Sequence, residues 1–151
     1  MGRFETEITL QRPIEEVFDF FLRPANLLLV SPPELQLHLV DAPELLQFGS
    51  RIILQSRRMG MPQRLVSQIT ALETNARIVD EQREGPLRKW AQSQQFEGVP
   101  EGTRVTFRID YEPPGGMLGF IVTAAAIDKE LRWLFGYRIA KLQEILGNHK
   151  L

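Results

Sequence analysis

The feature that most constrains this chain is one long amphipathic stretch near its C-terminus. From Met117 to Gly147 there is no proline, and apolar residues recur at steps of three and four. These residues are Met117, Phe120, Ile121, Ala124, Ile127, Leu131, Leu134, Phe135, Leu142 and Ile145. If the predicted helix is unbroken over about thirty residues, it is roughly 45 Å long. The other elements must then be wrapped around its apolar stripe.

One charged residue, Arg138, lies where the spacing of this stripe predicts an apolar side chain. Two interpretations are open. Its long side chain can run along the edge of the helix and end in water. Alternatively, its planar guanidinium reaches Asp80 or a carboxylate of a ligand, which suits its fork of donors.

The residues ahead of this helix show the period of two that is typical of strands. A first strand alternates over residues 3–10, and two short helices follow, one starting at Pro13 and one over residues 25–30. Six strands are predicted between residues 35 and 112, the first of them over residues 35–40. Turn signals at Met59–Pro62 and Gly85-Pro86 separate some of them. The last strand, 103–112, has the cleanest alternation.

Charge and composition exclude several classes of protein. The 18 basic and 19 acidic side chains leave a net charge of −1, so no field favours nucleic acid or an anionic membrane. There is no cysteine. The two histidines are isolated, with His38 expected in solvent and His149 in the tail. We therefore expect no serine-type triad, no metal site and no cofactor.

The length and the N-terminal residues bear on organisation and location. We expect one domain over residues 1–151 because the chain has no obvious linker and is long enough for a core. The N-terminal residues lack the apolar segment of a signal peptide, and the longest apolar run is too short to span a bilayer. A cytoplasmic protein without stable membrane insertion is the expectation, and the oligomeric state is left open.

The strands that flank Gly85-Pro86 carry polar residues on a face that also carries large apolar ones. Trp90 and Phe96 share their face with Gln92 and Gln94, and the face of Ile78 carries Asp80 and Gln82. Buried amides need hydrogen-bond partners. This face is therefore the solvent side of the sheet, the polar wall of a cavity, or an internal amide network that leaves no room for a ligand.

The order of elements resembles the helix-grip fold of the START-like superfamily, also called SRPBCC, over essentially the whole chain. The bacterial ligand-binding or "cyclase/dehydrase" group of that superfamily carries a pattern D-x-Q-x-x-G-P-x-x-x-W-x-H-x-H-x-F. This chain is similar to it at Asp80, Gln82, Gly85, Pro86, Trp90, Gln92, Gln94 and Phe96. Further similarities are Gly102-Thr103, Tyr111 with Pro114, and Phe135-x-Tyr137-Arg138. Both histidines of the pattern are glutamines here, which removes any proton transfer they perform in relatives.

The resemblance implies an α+β fold in which a curved antiparallel sheet of six to seven strands wraps around one long C-terminal helix. It favours a binder or carrier of a small, largely hydrophobic molecule, held between sheet and helix. The candidate ligand-binding residues are Asp80, Gln82, Trp90, Gln92, Gln94, Phe96, Phe107, Tyr111 and Arg138. No catalytic residue is assigned. The alternatives are a cyclase- or dehydratase-like enzyme in which Asp80 or Tyr111 moves protons, and an interaction module without a ligand.

Overall fold

The computed structural model describes residues 2–57 and 62–147 and orders its elements as the sequence predicts. These are β1 (Gly2–Leu10), α1 (Ile14–Phe21), α2 (Ala25–Leu29), β2 (His38–Asp41), β3 (Arg51–Ser56), β4 (Gln63–Glu73), β5 (Arg77–Glu84), β6 (Lys89–Val99), β7 (Gly102–Glu112) and α3 (Ala124–Leu142). The turn expected at Met59–Met61 and the tail residue His149 lie outside the described residues. Among the described residues, 2–57 and 62–147, no helix has both the length and the hydropathy that crossing a membrane requires.

All seven strands form one antiparallel sheet in the order β1-β7-β6-β5-β4-β3-β2. Each strand from β2 to β7 therefore pairs with its neighbour in the chain, whereas β1 pairs with the last strand. The β4–β5 pairing shifts register at two places, between Val66 and Ser67 and between Ile69 and Ala71. Such bulges bend the sheet and increase its twist. The predicted α+β helix-grip fold is confirmed.

Strand β7 forms the centre of the core, as its alternation predicts. Val105, Phe107 and Ile109 are fully buried, and the residues between them are only partly covered. The ring of Phe107 lies between Phe21 of α1 and Phe135 of α3, at centroid distances of 5.9 and 5.2 Å. This strand therefore anchors both α1 and α3 on the inner face of the sheet.

The long helix begins later than its apolar stripe suggests, and the prediction of a helix from Met117 is wrong. Residues Gly116–Phe120 form a short 3₁₀ turn, and α3 starts at Ala124 and runs for 19 residues, about 28 Å. A π-helical turn, Gln143–Gly147, follows it. Glycines are poor helix formers, whereas Thr123 accepts a hydrogen bond from the Ala126 backbone amide and caps the helix. The apolar residues before this cap are exposed, Phe120 by 86%.

Strand β2 is shorter than the predicted strand over residues 35–40. Pro33–Leu35 form a 3₁₀ turn, and Gln36 has a positive φ of 46°, which breaks the extended backbone. The Ser56 hydroxyl donates a hydrogen bond to the Leu35 carbonyl oxygen (2.8 Å), so the turn is held against the end of β3. His38 is exposed, as expected. The consequence is that Leu35 and Leu37 border the interior instead of one face of a strand.

Candidate functional site

A cavity of about 380 Å³ lies between the inner face of the sheet and α3. Strands β3 to β6 supply one wall, α3 supplies the opposite one, and α1, α2 and the segment after α2 close the remaining side. Its volume falls in the range of small-molecule pockets. Bulges in the β4–β5 pair bend the sheet, and a single helix leaves space beside it on the inner face.

Most of the cavity wall is apolar. Sheet residues such as Leu54, Leu65 and Ile78 face aromatic and leucine side chains from the helices. The other apolar lining residues are Phe20, Phe21, Leu27, Val30, Leu35, Leu37, Leu46, Ile52, Val66, Ile69, Leu87, Trp90, Leu134 and Phe135. A ligand that fills this volume must therefore present a largely hydrophobic surface.

One part of the wall, on β5 and β6, is polar. Asp80 and Gln92 are directly opposite each other in the β5–β6 pair, and Gln94 is opposite Ile78. All three of these polar side chains border the cavity together with Gln82. Of the three interpretations of this face, the geometry matches the cavity with a polar wall.

The amides of this wall differ in what they bind. Gln82 donates through Nε2 to the Leu87 carbonyl oxygen at 2.7 Å and so fixes the β5–β6 turn. Its amide lies so close to Gly85 that a Cβ there would collide with it. The side-chain oxygen of Gln94 is buried and accepts no hydrogen bond from any described residue. Gln82 is thus committed to the turn, whereas the Gln94 side-chain oxygen has no partner among the described residues.

Asp80 is the carboxylate of this wall. It lies on the inner face of the sheet and keeps some accessible surface because it borders the cavity. Burial raises the pKa of Asp80 to about 7, although the charge of Arg138 acts in the opposite direction. No hydrogen bond or ion pair joins Asp80 to another residue within 2–57 and 62–147. Asp80 can therefore both gain and lose a proton near neutral pH.

Arg138 faces this region from α3 and is only 6% exposed, so the interpretation in which it ends in water is wrong. Its Nε donates to the Val30 carbonyl oxygen (3.4 Å) and Nη2 donates to the Ser31 hydroxyl (3.3 Å). The guanidinium carbon lies 5.0 Å from the Phe135 ring centroid. Burial lowers the pKa of Arg138 to about 10, partly offset by Asp80, and it remains a cation at neutral pH.

The charges of Arg138 and Asp80 act on each other without direct contact. Each moves the pKa of the other toward the charged form. Among the described residues, no carboxylate oxygen lies within 4.0 Å of the Arg138 guanidinium. The direct contact with Asp80 that the sequence left open is therefore absent from this arrangement.

Three candidate residues, Phe96, Phe107 and Tyr111, lie outside the cavity lining. Phe96 packs edge-on against Phe18 at a centroid distance of 5.0 Å. Phe107 is enclosed by α1 and α3, as described above. Tyr111 donates a hydrogen bond from its hydroxyl to the Ala124 carbonyl oxygen (3.1 Å). These residues face inward as predicted, but the helices cover them.

Several residues in or near the lining escaped the sequence interpretation, either because they belong to no periodic element or because the strand predicted over residues 35–40 begins only at His38. Leu35, Leu37 and Leu46 come from connecting segments, and Ser31 supports Arg138 from the end of α2. Ser31 is 6% exposed, although serine is usually found at the surface. The only available signal was the apolar run that precedes it, Ala25–Val30, which predicts a buried neighbourhood.

The cavity reaches the surface near the start of β4 and the β5–β6 turn. Its exposed lining residues are Gln63, Glu84 and Pro86. Arg64 and Glu84 form an ion pair there (2.8 Å) in which both side chains are more than half exposed. Glu130 of α3 also borders the cavity and is partly exposed. Arg138, which is 6% exposed, lies eight residues further along α3, about 12 Å away along the helix axis.

Comparison with known proteins identifies the family of this chain. A family model described as "Polyketide cyclase / dehydrase and lipid transport" matches residues 1–144. No match was found among curated protein sequences.

Solved structures share the fold at low sequence identity. Protein CV1439 from Chromobacterium violaceum aligns with a TM-score of 0.73 at 14% identity, over 99% of this chain and 100% of that one. Ginseng major latex-like protein 151 from Panax ginseng gives 0.69 at 16%, over 96% and 97%. The di-domain ARO/CYC StfQ from the steffimycin biosynthetic pathway gives 0.71 at 14%, over 95% of this chain and 48% of that one.

Proposed function

The chain belongs to the polyketide cyclase/dehydrase and lipid transport family of START-like proteins, and from this premise we propose that it binds and carries a small, largely hydrophobic molecule between its sheet and α3. The observation that carries this proposal is the cavity of about 380 Å³ with its predominantly apolar wall. An interaction module without a ligand has no use for such a space, because an unfilled interior forfeits packing contacts.

The polar wall supports a ligand that also carries polar atoms. Gln92 and Gln94 are neutral throughout the physiological pH range, and an amide can both donate and accept a hydrogen bond. The buried Gln94 side-chain oxygen has no partner among the described residues. Leaving such an acceptor unpaired is unfavourable, so a hydroxyl or amide of the ligand, or a water beside it, completes the site.

In the bound state we assign different roles to the lining residues. Trp90 flanks the apolar body of the ligand, while Gln92 and Gln94 orient its polar end. Asp80 and Arg138 supply the charged groups at the inner end of the cavity. Phe96, Phe107 and Tyr111 hold the surrounding walls in place from the core. Gln82 positions the turn that carries Leu87.

Native mass spectrometry of freshly purified protein tests the proposal directly. We expect a co-purifying hydrophobic molecule, or saturable binding of the neutral probe N-phenyl-naphthylamine by the empty protein. Ser67→Phe fills the cavity from β4 and should abolish binding of the probe. Ser93→Phe makes the same change on the opposite face of β6 and should retain it. Equal binding by both variants would place the hydrophobic site elsewhere and overturn the proposal.

A second candidate function, proton transfer on a bound substrate, is favoured by one observation. The pKa of Asp80 is raised to about 7 by burial, which suits a general acid or base near neutral pH. Tyr111 is a poor second group because its hydroxyl is committed to Ala124. Asp80→Asn separates the functions: a carrier keeps its ligand and has no reaction to lose, whereas an enzyme of this type keeps the ligand and loses turnover.

A further inference from the structure

The inner end of the cavity contains a cation for which the described part of the chain supplies no anionic partner. Arg138 has five N–H donors, and within residues 2–57 and 62–147 only two of them bind protein oxygens, both uncharged and at 3.3–3.4 Å. Removing an arginine from water without a paired anion is unfavourable. The Phe135 ring, 5.0 Å away, offsets only part of that cost.

Asp80 does not fill this role. It lies outside ion-pair distance of Arg138 in this arrangement. Because its pKa is about 7, a substantial fraction of the carboxyl group is uncharged at neutral pH. A protonated carboxyl group is a hydrogen-bond donor. Two donors of different kinds, the guanidinium and the carboxyl O–H, therefore face the same region.

The position of Arg138 fixes the orientation of a ligand that binds to it. Glu130 borders the cavity and is partly exposed, whereas Arg138 is 6% exposed and lies about 12 Å from it along α3. Leu134 lies between them, and Leu65 and Leu87 line the cavity from the sheet side and the β5–β6 turn. An amphiphile whose anionic group reaches Arg138 thus leaves its apolar body beside these residues, with its far end toward the mouth.

We propose, on the basis of the carrier function argued above, that the ligand is a hydrophobic carboxylic acid that binds with its carboxylate on Arg138 and its apolar chain toward Glu84 and Glu130. A planar carboxylate matches the fork of guanidinium donors, and a charge-assisted pair in a site closed to water is stronger than one at the surface.

The test compares ligands of equal chain length and different head groups. Dodecanoic acid, dodecanol and dodecylamine compete with N-phenyl-naphthylamine for the empty wild-type protein. We expect dodecanoate to bind at least about tenfold more tightly than dodecanol, and dodecylamine more weakly than either. Equal affinities for dodecanoate and dodecanol would overturn the inference and leave the carrier function standing. Failure of all three, and of the probe, would overturn the carrier function as well.

Variants on α3 test whether Arg138 causes the preference for dodecanoate over dodecanol. Arg138→Gln should bind dodecanol as the wild type does and lose the tenfold preference for dodecanoate. Arg138→Lys should keep part of that preference because the charge remains. Arg132→Gln is the matched control, since Arg132 is 73% exposed and paired with Asp128 on the surface of the same helix. If Arg138→Gln weakens both ligands equally, Arg138 supports the fold rather than the carboxylate. If this variant does not fold, the wild-type comparison of acid and alcohol decides alone.

Discussion

The hydroxyl of Tyr111, at the end of β7, donates a hydrogen bond to the carbonyl oxygen of Ala124, the first residue of α3 (3.1 Å). This bond joins the last strand to the helix across the connecting segment. Tyr111→Phe should therefore lower the free energy of unfolding by about 1 kcal/mol and leave ligand affinity unchanged. Urea unfolding and probe titration measure the two effects. A large loss of affinity in Tyr111→Phe would mean that the hydroxyl also serves the ligand.

Phe107 is fully buried between two aromatic neighbours, Phe21 and Phe135. Phe107→Ala removes a large side chain from a packed site and should destabilise the protein by about 3–5 kcal/mol. Phe120→Ala provides the control, because Phe120 is 86% exposed and its loss should change stability by less than about 0.5 kcal/mol. Denaturant unfolding gives both values. Similar results for the two variants would contradict the central position of β7 in the core.

Asp80 should make stability fall as pH rises. Its folded pKa of about 7 lies above its ordinary value of 3.8, so the folded state retains this proton longer than the unfolded state. The associated stability is fully present below pH ~4 and is lost between pH ~4 and ~7. Because Asp80 borders the cavity, and Arg138 partly stabilises its charge, the loss should be about 1–3 kcal/mol.

Asp80→Asn isolates this effect. The difference in unfolding free energy between wild type and variant should change between pH 4 and 8, in favour of the variant at the higher pH. Asp110→Asn is the control: Arg3 donates a hydrogen bond to Asp110 and lowers its pKa, so Asp110 titrates below this range. A difference for Asp80→Asn that does not depend on pH would show that the carboxyl group is ionised throughout.

Gln92 and Gln94 should contribute to affinity rather than to stability. Gln92→Leu combined with Gln94→Leu replaces two amides by apolar groups of similar size, so the empty protein should be at least as stable as the wild type. Affinity for a ligand with polar atoms on this side should fall by about 1–3 kcal/mol. Gln95→Leu, which follows Gln94 in β6 on its exposed face, should leave affinity unchanged. Calorimetry with the co-purified molecule measures the affinities of the wild type and the double variant. Equal affinities would show that Gln92 and Gln94 do not contact the ligand.

Helix α2 closes one side of the cavity and should open transiently as a second route into it, apart from the exposed end at Gln63, Glu84 and Pro86. None of its five residues is buried, Leu29 is 54% exposed, and Leu27 borders the cavity. Few buried contacts imply low local stability. Amide hydrogen exchange over residues 25–30 should be faster than in β7 and should slow when ligand binds. Exchange as slow as that of β7, with no response to ligand, would exclude an entrance here.

The strands were predictable because each has one buried face, and a period of two records that face directly, most clearly from Val105 to Tyr111. The start of α3 was not, because the apolar spacing continues through Met117 and Phe120 although glycines weaken a helix there. A pattern of side chains reports which residues are apolar. It does not report where the backbone changes conformation. Here the helix starts after Thr123, whose side chain caps it.

The candidate site was predictable to the extent that it belongs to strands. The inward orientation of Asp80, Gln92 and Gln94 follows from their alternation with outward residues, and all of them border the cavity. Alternation could not separate them from Phe96 and Phe107, which share the inward direction but are covered by helices. Whether a helix lies above a given strand position depends on contacts between distant segments, which no local pattern contains.

The pairing of β1 with β7 has a consequence for the order in which the chain can fold during synthesis. Gly2 pairs with Tyr111 in the sheet. At ordinary rates of translation, β1 is therefore synthesised about 5–20 seconds before β7. The hairpins from β2 to β6 need only neighbouring segments and can form in the meantime. The first strand to be made is thus among the last to be placed. Until it is placed, its apolar face, with Phe4 and Ile8, remains available to chaperones.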